Sequence, residues 1–308
     1  MYGLSQANNT TRRNITVPFV LVLGTAQDGG LPQIGCNGPN CRAARQNQKL
    51  RRMTASLLIT APRAGSSWLV DATPDIKRQF DLAHRNNAIS LNEQTRTTLF
   101  DGIFLTHAHT GHYTGLMHLG KEAYSSVQTP VYASKQMCQF LAKNAPWDLL
   151  VSSRNIVLNR IKPDQTITLT ENTTILPLHV PHRNEYTDTF AFIITGPQRS
   201  ILYLPDIDAW QLWDRSIEQI IASVDLAIVD GTFYDAEELP RRNLKEIPHP
   251  FISESIHRFA NLPESQRSKI VFTHLNHTNP AVDPDSAAAA EIRSAGMSVA
   301  KEGQKINI

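Results

Sequence analysis

Long apolar runs are missing from this chain, and that sets the first limit. No stretch approaches the roughly 18 consecutive apolar residues of a membrane-spanning helix, and the longest, such as 19–23, have the length of a strand. Cysteine is scarce: three thiols in 308 residues cannot build a disulfide scaffold. An excess of charge is also missing. Thirty Lys and Arg against 28 Asp and Glu leave a net charge of +2, which gives no electrostatic case for nucleic acid or an anionic membrane as partner. The remaining class is a globular protein, 41% hydrophobic, acting on a small-molecule substrate. Its oligomeric state is open, a homodimer included.

A polar stretch, SQANNTTRRN at residues 5–14, makes 1–16 read as a disordered lead to one domain at 17–308. The compartment is left open between the cytoplasm and, if a signal segment has been removed, the periplasm or exterior. Apolar runs at 17–24, 54–60, 68–70, 102–105, 131–133, 156–158, 166–169, 173–178, 189–195, 200–204, 226–230 and 270–273 read as strands. Helical periodicity falls at 74–87, 208–222, 252–260 and 286–295, and Ser134 is placed to cap a further helix. Residues 25–41 read as a turn-rich loop, and 234–250, dense in charge and proline, as a surface lid or insertion. Strands alternating with helices predict stacked sheets flanked by helices.

Histidine is where the chain is rich, with 11 in all. His107, His109 and His112 sit together in THAHTGHYTGL, residues 106–116, at the end of a short apolar run. The first two, at i and i+2 of extended chain, project to one side. Neutral imidazoles converging at a strand end make a divalent-metal site. His182, Asp206 and His274 each follow another apolar run, where folds of this kind place chemistry. Taken with the cluster, they read as further ligands.

This order resembles the metallo-β-lactamase superfamily. More narrowly it is similar to the branch that holds pyrroloquinoline quinone biosynthesis protein B and the phosphonate-pathway cyclic phosphodiesterase. The matching segments are GTAQDGGLPQIGCNGPNC (24–41), VDATPDI (70–76), GHYTGL (111–116), VPHRNEYTDTFAF (180–192), LYLPDIDAW (202–210), VDGTFYDAEEL (229–239) and HLNHTNP (274–280). The resemblance implies an α/β fold of the αββα type: two mixed sheets flanked by helices, with the metal site at one edge. It implies His107, His109 and His182 at a first ion, His112 and His274 at a second, and Asp206 bridging the two. The expected cofactor is a divalent metal, zinc foremost.

The superfamily motif is His-x-His-x-Asp-His, and here Gly111 stands where the aspartate belongs. Three outcomes stay open: a weak or empty second position, a substitute such as Asp208 or Tyr113, or a different ion such as iron or manganese. On the motif alone, Gly111→Asp is expected to raise metal content toward two ions. Quinone-pathway relatives lack the usual histidines of this motif, whereas this chain keeps all three. In the cysteine loop, relatives hold a structural zinc; Cys36 and Cys41 match two of its positions, and His277 resembles the histidine that completes it. Cys138 reads as core.

The expected chemistry is hydrolysis of an ester, lactone, amide or phosphodiester. Asp206 orients the nucleophile, and His249 assists proton transfer. Asp71 and Asp230 are expected to orient ligand imidazoles, with Thr106 and Thr273 hydrogen-bonding locally. The alternatives are iron-dependent oxidative chemistry in pyrroloquinoline quinone biosynthesis and a metal-containing binding protein without turnover.

Overall fold

The computed structural model describes residues 17–90, 97–239 and 248–308. The polar lead at 1–16 lies outside them, and so does the 240–247 part of the expected lid. Among the described residues, no helix is long and apolar enough to cross a membrane.

Among the described residues, fourteen strands form two sheets of seven. The first sheet contains β1 (Phe19–Gly24), β2 (Ser56–Ala61), β3 (Ser66–Val70), β4 (Gly102–Phe104), β5 (Thr129–Ala133) and β6 (Ile156–Arg160). The second contains β7 (Ile167–Thr170), β8 (Thr173–Val180), β9 (Thr189–Thr195), β10 (Ser200–Leu204), β11 (Leu226–Asp230), β12 (Ile270–Thr273) and β13 (Ser298–Val299). A last strand, β14 (Lys305–Asn307), returns to pair antiparallel with β1 at the edge of the first sheet. The orders are β14-β1-β2-β3-β4-β5-β6 and β13-β12-β11-β10-β9-β8-β7. Each sheet joins an antiparallel half to a parallel half. Pairing turns parallel from β3 onward in the first and from β10 onward in the second.

The central strands, such as β1, β2, β4 and β10–β12, are buried on both faces, so they appear in the sequence as apolar runs without polar alternation. Phe19, Leu21 and Leu23 of β1 pack outward against the helices, while Val20 and Val22 face the second sheet. In β10, Leu202 and Leu204 pack outward, and Ile201 and Tyr203 face the first sheet. Three core layers result: helices on sheet, sheet on sheet, and sheet on helices. This is the expected αββα sandwich.

Ser134 accepts from the Met137 N–H at 3.1 Å and starts the helix Lys135–Lys143. Cys138 lies in its buried face. The helix expected over 208–222 is instead a 3-10 turn at Trp210–Leu212 followed by a helix at Ile217–Ser223. Two indole bonds break the helical path: Trp210 Nε1 donates to Ser255 Oγ at 2.9 Å and Trp213 Nε1 to the His179 carbonyl at 2.7 Å. Ser216 then caps the second piece, accepting from the Gln219 N–H. The loop read at 25–41 ends in a helix, Pro39–Gln46, opened by Pro at its first turn.

Candidate metal centre

The ends of β3, β4, β8, β10, β11 and β12 open onto one edge of the sandwich. Asp71 follows β3, His107 lies beyond β4, His182 beyond β8 and Asp206 beyond β10. Asp230 ends β11, and His274 follows β12. Asp71 and His274 take φ of 66° and 62°, a left-handed conformation that costs a non-glycine residue about 1–3 kcal/mol and clusters at functional sites.

Two donor sets meet here. His107, His109, His182 and Asp206 offer ligand atoms all within 4.8 Å of one another, as do Asp28, His112 and His274. In the first set, His109 Nδ1 lies 2.8 Å from His107 Nε2 and 3.2 Å from His182 Nε2. Tetrahedral zinc at about 2.0–2.1 Å from each nitrogen holds neighbouring donors about 3.3 Å apart, so the spacing fits. Asp206 divides its oxygens between the sets: Oδ1 is 3.7 Å from His182 Nε2, while Oδ2 is 3.3 Å from His112 Nε2 and 3.5 Å from His274 Nε2. Those last three atoms are buried without a hydrogen-bond partner. Orphaned buried polar atoms facing one another are costly, and a shared cation satisfies all three.

All of these imidazoles but His182 are hydrogen-bonded at the outer nitrogen, which aims the other inward. Asp71 Oδ2 accepts from His112 Nδ1 at 2.8 Å. Thr106 Oγ1 donates to Asp71 and accepts from His107 Nδ1 at 2.9 Å. The second sheet repeats this device. Asp230 Oδ2 accepts from His249 Nδ1 at 2.7 Å, and Thr232 Oγ1 donates to Asp230 Oδ1 at 2.7 Å and accepts from His274 Nδ1 at 2.9 Å. Asp208 Oδ1 lies 2.9 Å from His182 Nδ1, and Glu185 Oε2 lies 3.4 Å from His109 Nε2. Carboxylate or hydroxyl anchoring of this kind fixes the tautomer a metal needs.

The electrostatics agree. Burial pushes His107 well below its ordinary pKa and also lowers His109 and His274, leaving them neutral as ligands must be. Burial opposes charge on Asp206, but His274, His112, His107 and His182 outweigh it and hold the carboxyl well below the usual range. For His112, burial is overcome by Asp71 and Asp206, which hold it well above 6.5. For His249, burial is overcome by Asp230, which raises it.

The expected ligands His107, His109, His112, His182, Asp206 and His274 therefore come together. His249 joins them, buried and in a further donor group with Asp206 and Asp230. Asp71 and Asp230 hold imidazoles as expected, but Thr232 rather than Thr273 supports His274. Neither suggested substitute for the missing aspartate serves: Asp208 backs His182, and Tyr113 packs against Phe140 and Trp147. Cys36 and Cys41 adjoin, and burial with the neighbouring thiol raises Cys41. Among the described residues His277 does not complete a donor set with them. Its Nδ1 is engaged with Asn276 Oδ1 at 3.0 Å, and the Cys41 side packs on Leu31 and Ala44.

Asp28 is the residue that sequence reasoning missed. It lies in the loop after β1, and its Oδ1 stands 3.4 Å from His112 Nε2. Burial is overcome by His112 and His274, which bring its carboxyl down to about 2. The one available signal was an aspartate in a Gly-rich turn, QDGG, leaving a buried strand.

A two-sheet sandwich with paired His/Asp donor sets at its edge defines a metallo-β-lactamase-type protein. The chain belongs to the beta-lactamase superfamily domain family, whose model matches residues 67–304. Within it, the chain is similar to coenzyme PQQ synthesis protein B of Acinetobacter baumannii strain SDF: 28% identical, over 94% of this chain and 99% of that protein. The fold is also that of a Zn(2+)-bound PqqB crystal structure from Methylobacterium extorquens, with TM-score 0.79 and 21% identity over 94% of this chain and 100% of the other. A diphosphatase of the PhnP family follows at TM-score 0.66 and 21% identity, covering 94% and 97%.

Proposed function

We propose that this protein is a metal-dependent hydrolase of an ester, lactone, amide or phosphodiester, with zinc as the fitting ion. The observation that carries the reading is the convergence of His107, His109, His112, His182 and His274 on Asp206, with four of these imidazoles hydrogen-bonded at the outer nitrogen so that the inner one is turned toward the carboxylate. Borderline-soft zinc suits such an imidazole and carboxylate set. A divalent ion bound there supplies a nucleophile at neutral pH and a Lewis acid for the substrate oxygen.

The chain's own residues do the rest. Asp206 spans both donor sets and orients the attacking group between them. His249 is the general acid: Asp230 accepts from its Nδ1 at 2.7 Å, so its Nε2 proton is the one available to a leaving oxygen or nitrogen. Asp230 also accepts from the Ile207 and Thr232 N–H groups, which keeps this pair in place as the proton leaves.

The test is turnover of nitrophenyl phosphodiester, nitrophenyl ester and lactone probes by zinc-loaded protein, before and after chelation. The reading expects hydrolysis of at least one class, lost with chelator and regained with zinc. Fully loaded protein that turns over none of them, with zinc, iron or manganese, would sink it. A second reading, a part in pyrroloquinoline quinone biosynthesis through iron-dependent oxidative chemistry, is supported by the near full-length match to the coenzyme synthesis protein. Oxygen uptake by iron-loaded protein with a tyrosine-derived substrate would favour it.

A further inference from the structure

We propose that Asp28 is the carboxylate ligand of the second ion, and that Gly111 is glycine because Asp28 occupies the space of its side chain. The inference rests on the metal-site half of the reading above and is independent of the reaction. A Cβ built on Gly111 would lie 2.1 Å from Asp28 Oδ1 and 2.8 Å from the Asp28 Cα. No real Cβ tolerates either distance. The Gly111 N–H donates to the same Oδ1 at 3.1 Å, so the glycine both admits the carboxylate and holds it.

Asp28 cannot easily retreat. Its loop is pinned on both sides: Gln27 N–H donates to the Leu275 carbonyl at 2.9 Å, Gly30 N–H to the Gln27 carbonyl at 2.7 Å, and Ala26 bridges Thr54 and Leu275. The donor set is thereby complete. His112 Nε2, His274 Nε2 and Asp206 Oδ2 are buried orphans, and Asp28 adds a second anionic oxygen to them from the loop after β1. Two carboxylates and two imidazoles match the four donors that a divalent ion of this kind takes. The missing motif aspartate has been replaced from a different segment of the chain, at the same place in space.

This reverses the expectation drawn from the motif alone. An aspartate at 111 would not repair the second position but would expel the group that fills it. The experiment is metal content by elemental analysis after equilibration with zinc, together with chelator-competition titration, on the full chain and on Asp28→Ala, Asp28→Asn and Gly111→Asp. Thermal melting reports folding of each. The proposal expects two ions in the parent protein. It expects second-ion affinity weakened at least about a hundredfold in Asp28→Ala, more than the 10–100-fold typical of losing a supporting group. Asp28→Asn weakens it less. Gly111→Asp holds fewer ions than the parent, and the first ion is retained throughout. Should Asp28→Ala or Gly111→Asp fail to fold, Asp28→Asn, which keeps size and shape, carries the test. One ion in the parent, two ions bound with parental affinity in Asp28→Ala, or a gain of metal in Gly111→Asp would each overturn it. Metal counts follow these lines whether or not any ester is hydrolysed, so failure here and failure of the hydrolase reading are separate results.

Discussion

Asp71→Asn isolates how much of the metal site depends on a group that never touches the ion. Asp71 is fully buried and uses both oxygens as acceptors: Oδ2 from His112 Nδ1 at 2.8 Å, Oδ1 from the Thr106 N–H at 2.9 Å. Asparagine keeps the shape and tolerates the φ of 66° better than most residues. It has one acceptor oxygen and one donor NH2. With the oxygen toward the Thr106 N–H, the NH2 faces His112 Nδ1, which must then give up its proton. The remaining proton moves to Nε2, the atom facing Asp206 and Asp28, and closes it to metal. Loss of such a supporting carboxylate costs about 10–100-fold in metal affinity. At about 1.36 kcal/mol per tenfold, the stabilisation that the second ion lends to the fold falls by about 1.4–2.7 kcal/mol. Chelator competition with two-site analysis should show the second ion weakened by this factor and the first nearly unchanged. Thermal melting with and without zinc should show a smaller metal-induced rise than in the parent. A second ion bound with the parent's affinity in a folded Asp71→Asn protein would refute the tautomer argument.

His249→Ala should slow turnover by about 10²–10⁴-fold for substrates with poor leaving groups and much less for nitrophenolate. The group is active when protonated, and Asp230 raises it above 6.5. Parental kcat should therefore fall as pH rises through that raised value, and the variant should lose this limb; an unchanged pH profile would count against the assignment. Glu302 offers a test away from the centre. Burial, against the Met53 N–H it accepts from, raises its carboxyl from 4.5 to about 7. The folded state thus holds a proton that the unfolded state has lost. The contribution to stability declines from pH 4.5 to 7, and the penalty is complete above that. Glu302→Gln should stabilise the fold by about 1–3 kcal/mol at pH 8, from about 1.36 kcal/mol per unit, and hardly at all at pH 4. Equal melting shifts at the two pH values would show that the carboxyl is not the cause.

The sandwich was legible because strands buried on both faces leave uninterrupted apolar runs: residues 17–24 and 200–204 needed no context. The six expected ligands were legible because His107, His182, Asp206 and His274 each follow such a run closely, and His109 and His112 share one short motif with His107. What escaped was set by contacts between distant segments. The break at 213–216 depends on indoles reaching Ser255 and His179. The short strand Lys305–Asn307 is defined by its pairing with β1. Asp28 and Gly111 are 83 residues apart; motif spacing records what a segment contains and is blind to what another segment brings to the same point. Thr232 escaped for the same reason: it lies 42 residues from His274 and reaches it from just beyond the neighbouring strand β11.

Both donor sets draw on both sheets. Residues 28, 107, 109 and 112 arrive with the N-terminal half of the chain, and 182, 206 and 274 with the C-terminal half. Neither half alone offers a complete set to either ion. A complete set exists only once the two sheets have closed on each other, so an ion held there would act as a rivet through the seam between them.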